Sequence, residues 1–386
     1  MSQKTTFTLE KLYVAYLDCR RTKRKTVNAL KFEWNLERNL FKLQKELKMR
    51  EYQPGRSICF VVTEPSPREI FAASFKDRIV HHLLINEIEN MGERSFIFDT
   101  HSCRKNKGTH LAIRRLKKFI REITENYQLE ANYLQLDVAG FFMNINHNIL
   151  YSLFKKLILK QNKSYQWEED VLWLAKTIIF HKPIRNYVIK GDSSLFSLIP
   201  SRKSLFESPA STGLPIGNYS SQFFANLYLN QLDQLIKREL KCKYYVRYVD
   251  DLVLLDKSKE KLKYLEAKIN LFLKENLSLE LNSNKTKLKS INSGIDFLGY
   301  FMEPNYTLVR QRVVKRFKNK LYQENQVLEA RSKISDSKNL AVINSYYGHF
   351  KSAFSFNLRK DIYENHLRKL KANFLPKSNY LFLKIR

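Results

Sequence analysis

Apolar and polar positions follow two periods along this chain. Through residues 1–50 apolar side chains recur at helical spacing among Lys and Arg, which predicts a helical stretch. A turn is expected at Pro54–Gly55, then a short β-like run from Ile58 to Val62, and Glu64–Arg68, with two prolines, reads as a loop. Residues 76–90 return to helical spacing, and a basic helix is predicted over 110–123 after the loop CRKNKGTH (103–110). Tyr133-Leu134-Gln135-Leu136-Asp137-Val138 reads as a short strand, after which Phe141 and Phe142 open a helical stretch. Residues 151–212 form a long connection in which 172–191 is half helix-like and half strand-like. The loop GLPIGNYSS (213–221) leads into Gln222–Leu240, whose apolar Phe223, Phe224, Leu227, Leu232 and Leu235 define an amphipathic helix with Ser220 or Asn218 as its N-cap. Residues 303–386 are helical in pattern and basic, with 18 Lys and Arg against 6 Asp and Glu.

Between the last two helical regions lies YVRYVDDLVLLD (245–256). Tyr245, Val246, Tyr248 and Val249 favour a strand before the acidic pair, and Leu252 to Leu255 favour one after it. Asp250–Asp251 is therefore expected at the tip of a hairpin. Adjacent carboxylates resist joint ionisation unless a cation neutralises them, and Mg²⁺ is the usual partner of carboxylates beside substrate phosphates. Asp-Asp in a hairpin is also an ordinary solvated turn, so the pair alone decides little. Asp137 supplies a third carboxylate at the end of another strand. If the strands are antiparallel neighbours, all three converge. Such a trio can hold two Mg²⁺ ions, one activating a 3′-hydroxyl and the other stabilising a leaving pyrophosphate.

Composition sharpens this reading. The formal charge is +30 over 386 residues, with 68 Lys and Arg against 38 Asp and Glu, spread along the chain. A folded protein with that field suffers self-repulsion, which calls for a polyanionic partner. The spread of the charge favours a long basic channel over a disordered basic arm, and a hydrophobic fraction of 44% marks a globular protein. Lys and Arg beside Gly108 in 103–110 form either a solvated loop or a phosphate cradle. Cys19, Cys59, Cys103 and Cys242 lack any C-x-x-C spacing, so ordinary thiols in a reducing compartment are expected and a zinc site is not. With neither a signal peptide nor an 18-residue apolar run in the chain, a cytoplasmic protein with no membrane partner is expected.

At these residues the chain resembles reverse transcriptases. LDVAGFF (136–142) is similar to the first palm motif, which makes Asp137 and the Val138 carbonyl metal ligands and Phe142 the aromatic gate against a 2′-hydroxyl. YVDD (248–251) matches the motif bearing the other two ligands. SNKTKL (283–288) resembles the motif whose lysine, here Lys285, protonates the departing pyrophosphate. IDFLGY (295–300) resembles the primer grip, assigned to Phe297, Leu298, Gly299 and Tyr300. Arg68 and Arg104 fall where the fingers contact the triphosphate. The fold implied is α+β, a right-hand polymerase. Its N-terminal helices and fingers would occupy 1–126, and its palm, with an antiparallel sheet carrying the catalytic Asp residues, 127–302. An insertion is expected at about 151–212, and a helical basic thumb over 303–386.

LPIGNYSSQFFAN (214–226) narrows the resemblance. Most bacterial relatives carry Gln-Gly followed by Ser-Pro, whereas this chain has Ile216-Gly217 and Ser221-Gln222, as in reverse transcriptases of diversity-generating retroelements. IPSRKSLF (199–206), FLGYFMEPNYTLVRQRVV (297–314) and NSYYGHFKSA (344–353) are similar to the same group. Ile216, Gly217 and Gln222 are thereby placed at the nucleotide site. An apolar side chain in place of glutamine makes no hydrogen bond near the incoming sugar, and a looser pocket discriminates less. The resemblance implies error-prone, adenine-mutagenic cDNA copied from a template RNA for targeted gene diversification. It also implies dNTPs as substrates and a basic, oligomeric accessory variability protein as partner. No endonuclease or maturase segment is expected at the C-terminus. The rival readings are a retron or phage-defence reverse transcriptase, or a nucleic-acid-binding protein with a dead palm. Ile216 and Gln222 argue against the former, and intact Asp137, Asp250 and Asp251 against the latter.

Overall fold

The computed structural model describes residues 6–21, 23–64, 66–330 and 336–386, with the backbone alone at 328–330. Residues 1–5 and 22 of the expected N-terminal helical stretch, Pro65 of the expected loop and residues 331–335 of the C-terminal segment lie outside the described residues. The N-terminal stretch folds as α1 (Leu9–Arg20), α2 (Val27–Glu33) and α3 (Leu36–Lys48). A hairpin of β1 (Ser57–Val62) and β2 (Arg68–Ala72) follows, then α4 (Phe75–Ser95) and α5 (Thr109–Ile123). The Ser74 side chain caps α4 by accepting from the Asp77 amide. Next come β3 (Asn132–Asp137), α6 (Phe141–Asn144), α7 (His147–Leu159), α8 (Tyr165–Ile179), β4 (Tyr187–Ile189) and α9 (Tyr219–Gln234).

The second half contains β5 (Tyr245–Tyr248), β6 (Asp251–Asp256), α10 (Lys259–Leu277) and β7 (Lys287–Ser290). It continues through β8 (Ile295–Phe297), β9 (Tyr300–Met302), β10 (Thr307–Val309), α11 (Gln311–Ala330), α12 (Asp336–Phe350) and α13 (Phe356–Asp361). β11 (Phe374–Lys377) and β12 (Phe382–Ile385) end it. That last hairpin corrects the expectation of a purely helical C-terminal segment. Phe374 and Leu383 point into the core while Leu375 and Lys384 point out, a period of two too short to stand out in a helical background. The helix expected over 222–240 starts earlier, and a π turn over Leu235–Glu239 ends it. Asn218 holds the N-cap position, but its side chain accepts from the Ala73 amide instead of from the helix.

The central sheet has the order β5-β6-β3-β7, with every pairing antiparallel. Both of its faces are covered, and strand alternation divides the side chains between two cores. Leu134, Leu136, Tyr245, Leu252 and Leu254 join the larger core with α4, α7, α9 and α10. Tyr133, Val246, Val253 and Leu255 join a second core with α5 and the β8–β9 hairpin. Burying each of these leucines stabilises by roughly 1.5–3 kcal/mol over leaving it exposed. Two-sided burial is why 251–256 reads as an almost unbroken apolar run. A smaller sheet, β2-β1-β4, stands beside it, with β4 parallel to β1. Among the described residues no helix is long and apolar enough to cross a membrane.

Candidate active site

The register of the central sheet places Asp137 opposite Asp251, and Tyr248 opposite Asp251 on the other side. A two-residue turn, Val249–Asp250, therefore joins β5 to β6. Val249 has φ 56°, a left-handed conformation that a β-branched residue adopts at a cost of about 1–3 kcal/mol. Two contacts hold the turn in that shape: Arg247 Nη1 donates to the Val249 carbonyl at 2.9 Å, and the Val138 amide donates to the Asp250 carbonyl at 3.3 Å. Arg247 is itself fully buried on Asp233, with Nε to Oδ1 at 2.8 Å and Nη2 to Oδ2 at 2.6 Å. Tyr245 and Thr100 hydroxyls complete the Asp233 carboxylate at 2.7 and 3.2 Å.

Both Asp137 carboxylate oxygens are engaged. Asn282 Nδ2 donates to Oδ1 at 3.1 Å and Lys285 Nζ to Oδ2 at 2.7 Å. Among the described residues neither Asp250 nor Asp251 has an ion-pair partner of this kind. Burial, then the Asp250 and Asp137 charges, pushes Asp251 up to about 7 against the pull of Lys285 and Arg68. Asp250 is raised by burial and then by Asp137. Among the described residues no three His, Cys, Asp or Glu side chains close into a ready metal cage.

A cavity of about 180 Å³ opens beside these groups. Asp137, Val138, Phe142, Ile216, Asp250, Lys285 and Arg68 all line it. Gly140, at φ 54°, turns the chain between β3 and α6 so that Phe142 faces the cavity. Ile216 is anchored by its carbonyl, which accepts from the Phe71 amide at 3.0 Å. The next residue must be small: a Cβ on Gly217, at φ 118°, would meet Ile70 Cγ2 at 2.7 Å.

Other expected site residues lie elsewhere. Arg104 is not in the cavity. Its Nε and Nη2 bind Glu93, and its Nη1 binds the carbonyls of Ile97 and Thr100, so its donors are used in holding the loop. Contact with a triphosphate finds no support in that geometry. The same bonds make 103–110 a braced loop in part, with Lys107 Nζ on the Phe98 carbonyl at 2.7 Å. Gln222 is exposed in the first turn of α9, outside the cavity lining. Phe297 and Tyr300 are core residues, and only the turn Leu298–Gly299 between them is accessible, with φ 51° and 85°. Sequence reasoning missed Arg247, Asn282, Arg202 and Lys203. Arg247 carried a signal, since a lone cation inside an apolar strand needs a buried partner. Arg202 and Lys203 stood in a quoted motif without a role.

The fold is that of a right-hand polymerase, in which a four-stranded antiparallel sheet presents Asp137 opposite Asp251 beside a lined cavity. The chain belongs to the reverse transcriptase family: the family described as reverse transcriptase (RNA-dependent DNA polymerase) matches residues 63–302. Its enzyme class is thus that of RNA-directed DNA polymerases, a family that works with divalent metal ions. Protein YkfC of Escherichia coli is 24% identical over 309 residues, covering 71% of this chain and 74% of that protein. The COX1/OXI3 intron 2 protein of Saccharomyces cerevisiae is 25% identical over 301 residues, covering 68% of this chain and 34% of the relative. The chain thus spans about a third of the length of the yeast protein. Telomerase from Candida albicans, solved with a fragment of telomeric RNA, is similar at a TM-score of 0.48 and 11% identity, covering 84% of this chain and 62% of that one. Apo telomerase from Candida tropicalis gives 0.48 and 14%, covering 83% and 57%.

Proposed function

We propose that this chain copies a template RNA into error-prone cDNA, misincorporating chiefly opposite adenine, for targeted gene diversification. The observation that carries this reading is the placing of Ile216 on the same cavity as Phe142, Asp137 and Asp250. A β-branched apolar side chain stands there, where an amide would bring hydrogen-bonding capacity to the new base pair. Phe142, which lines the same cavity, excludes a 2′-hydroxyl by contact, so the incoming dNTP is selected by shape.

Asp137, Asp250 and Asp251, with the Val138 carbonyl, are hard oxygen donors, and Asp137, Val138 and Asp250 line one cavity. That donor set fits divalent metal, and we assign two Mg²⁺ to it. When bound, such ions supply electrostatic stabilisation of the phosphoryl transfer. The chain's own groups do the rest. Arg247 fixes the turn that aims Asp250, Asn282 orients Asp137, and Lys285 stands within reach of the reacting phosphates to neutralise charge or give up a proton.

On this reading residues 1–126 supply fingers, 127–302 the palm with an insertion at about 151–212, and 303–386 a basic thumb for the RNA and nascent cDNA. A basic, oligomeric accessory protein is assigned as partner and the cytoplasm as location. The test is to sequence cDNA made by the purified chain on its native RNA with the accessory protein. Substitutions concentrated at template adenines are expected. A uniformly low error rate at every template base would instead give the retron or phage-defence reading.

A further inference from the structure

Three cations of the cavity, Arg68, Arg202 and Lys203, form no ion pair among the described residues, and a fourth, Lys285, is held by Asp137. Arg68 begins β2, whereas Arg202 and Lys203 come from a 3₁₀ turn, Ser201–Lys203, in the long connection after β4. Their convergence costs energy. The Lys203 ammonium is pushed down by burial and then by Lys285, Arg68 and Arg202 in turn.

The segment that brings these charges in is built into the protein at three points. First, Glu69, 1% exposed and adjacent to Arg68, spends its carboxylate on the segment: Ser204 Oγ donates to it at 3.0 Å and the Leu205 amide donates to it as well. The buried acid next to Arg68 in the chain therefore fixes the backbone beside the cations, and among the described residues it forms an ion pair with none of them. Second, Leu205 is buried with Cys59, Phe71 and Met143, and Phe142, Phe196, Phe206 and Ile216 pack on that cluster. Third, a Cβ at Gly140 would meet the Arg202 carbonyl at 2.7 Å, so the absence of a side chain there lets the turn after Asp137 lie against Arg202. Like charges held together on a rigid concave wall favour a polyanion, and the wall faces the carboxylates across one small cavity.

We propose that residues 201–206 form a phosphate-binding wall of the nucleotide site, in which Arg202 and Lys203 join Arg68 in holding the triphosphate of the incoming dNTP, with Glu69 as the positioning residue. The wall rests on the polymerase reading and deepens it by assigning nucleotide binding to the connection between β4 and α9. The same side chains meet the pyrophosphate as it leaves, so inorganic pyrophosphate competes for them.

The experiment is steady-state primer extension on an RNA template with dTTP, together with calorimetric binding of dTTP and inhibition by inorganic pyrophosphate. Arg202→Ala and Lys203→Ala are each expected to raise KM for dTTP about ten- to hundredfold, the worth of a charged hydrogen bond, and to weaken pyrophosphate inhibition in parallel. Affinity for the primer–template should stay within about twofold, since one lost phosphate contact in a long duplex changes little. Glu69→Ala should give the same KM increase, and Glu69→Gln, which keeps an acceptor, should recover most of it. Circular dichroism checks folding, and if Glu69→Ala is unfolded the Arg202 and Lys203 variants decide alone. An unchanged KM, or a loss of primer–template affinity equal to the loss of nucleotide affinity, overturns the wall. Failure of the wild type to extend any primer overturns the polymerase reading instead. The wall then stands or falls on whether Arg202→Ala and Lys203→Ala lose dTTP binding.

Discussion

Asp137 on β3 and Asp251 on β6 are direct partners across an antiparallel pairing, although 114 positions separate them in the chain. Burial first, and then the charges of Asp250 and of the opposed Asp137, hold Asp251 near 7. Asp137 pairs with Lys285 at 2.7 Å. The site is thus poised between an internal cation and an external one.

Removing a carboxylate should stop synthesis without unfolding the chain. Asp250→Asn and Asp137→Asn are each expected to lower primer extension by at least about a thousandfold, several kcal/mol of transition-state stabilisation. Extension within tenfold of wild type in Asp250→Asn, with an unchanged circular dichroism spectrum, would sink the assignment.

Phe142 forms one wall of the cavity and packs edge-on to Phe141 at 5.3 Å. Phe142→Val should raise ribonucleotide incorporation relative to deoxyribonucleotide by about ten- to a hundredfold, because a packed wall does not yield to a 2′-hydroxyl and a shortened side chain leaves room for it. The ratio of kcat/KM for rUTP and dTTP reads this directly. An unchanged ratio would mean that another residue guards the sugar.

Ile216→Gln tests fidelity. A restored amide adds one hydrogen bond, about 0.5–1.5 kcal/mol net, so misincorporation opposite adenine should fall several-fold and opposite other bases less. Deep sequencing of cDNA from both proteins on one RNA gives the comparison. Equal error rates at adenine would show that Ile216 does not set fidelity.

The buried pair Arg247–Asp233 should matter more to stability than any surface ion pair. Both side chains are 0% exposed, so Arg247→Met leaves a buried carboxylate without its cation. The expected loss is about 3–5 kcal/mol in denaturant unfolding. A loss under about 1 kcal/mol, the range of exposed pairs, would show that Asp233 finds another partner.

Acid should weaken the fold through His81. Burial pushes this ring, bonded to the Ser220 hydroxyl at 2.7 Å, down to about 4. Between that value and the unfolded value near 6.5 the unfolded chain binds more protons than the folded one. The contribution is therefore complete above pH 6.5 and is lost as pH falls through the window to about 4, on the order of 3 kcal/mol in all. Urea midpoints measured from pH 7 to 4.5 should fall less steeply in His81→Gln than in wild type. Parallel curves would mean that His81 titrates alike in the folded and unfolded chain.

What the sequence by itself determined lies in its local patterns. The hairpin at 245–256, the strand ending at Asp137 and the helix after GLPIGNYSS are each written in period and turn chemistry, which neighbours in the chain enforce. Residue type and strand pattern also singled out the carboxylates as candidates, whereas Phe142 and Ile216 were legible only through the family resemblance. Register, partner choice and burial were decided only in three dimensions. The pairing of Asp137 with Asp251 depends on which strands meet, and that is set by how two cores divide the sheet's side chains. Arg104 and Arg202 look alike in a list of basic residues. One is consumed by Glu93 and backbone carbonyls, while the other is carried to the cavity by a segment that Glu69 fastens. The C-terminal hairpin escaped notice because each strand is four residues long, too short for its period to register until Leu383 meets Asn344. Charge and chemistry are properties of residues, but whether a charge is spent or available is a property of its neighbours in space.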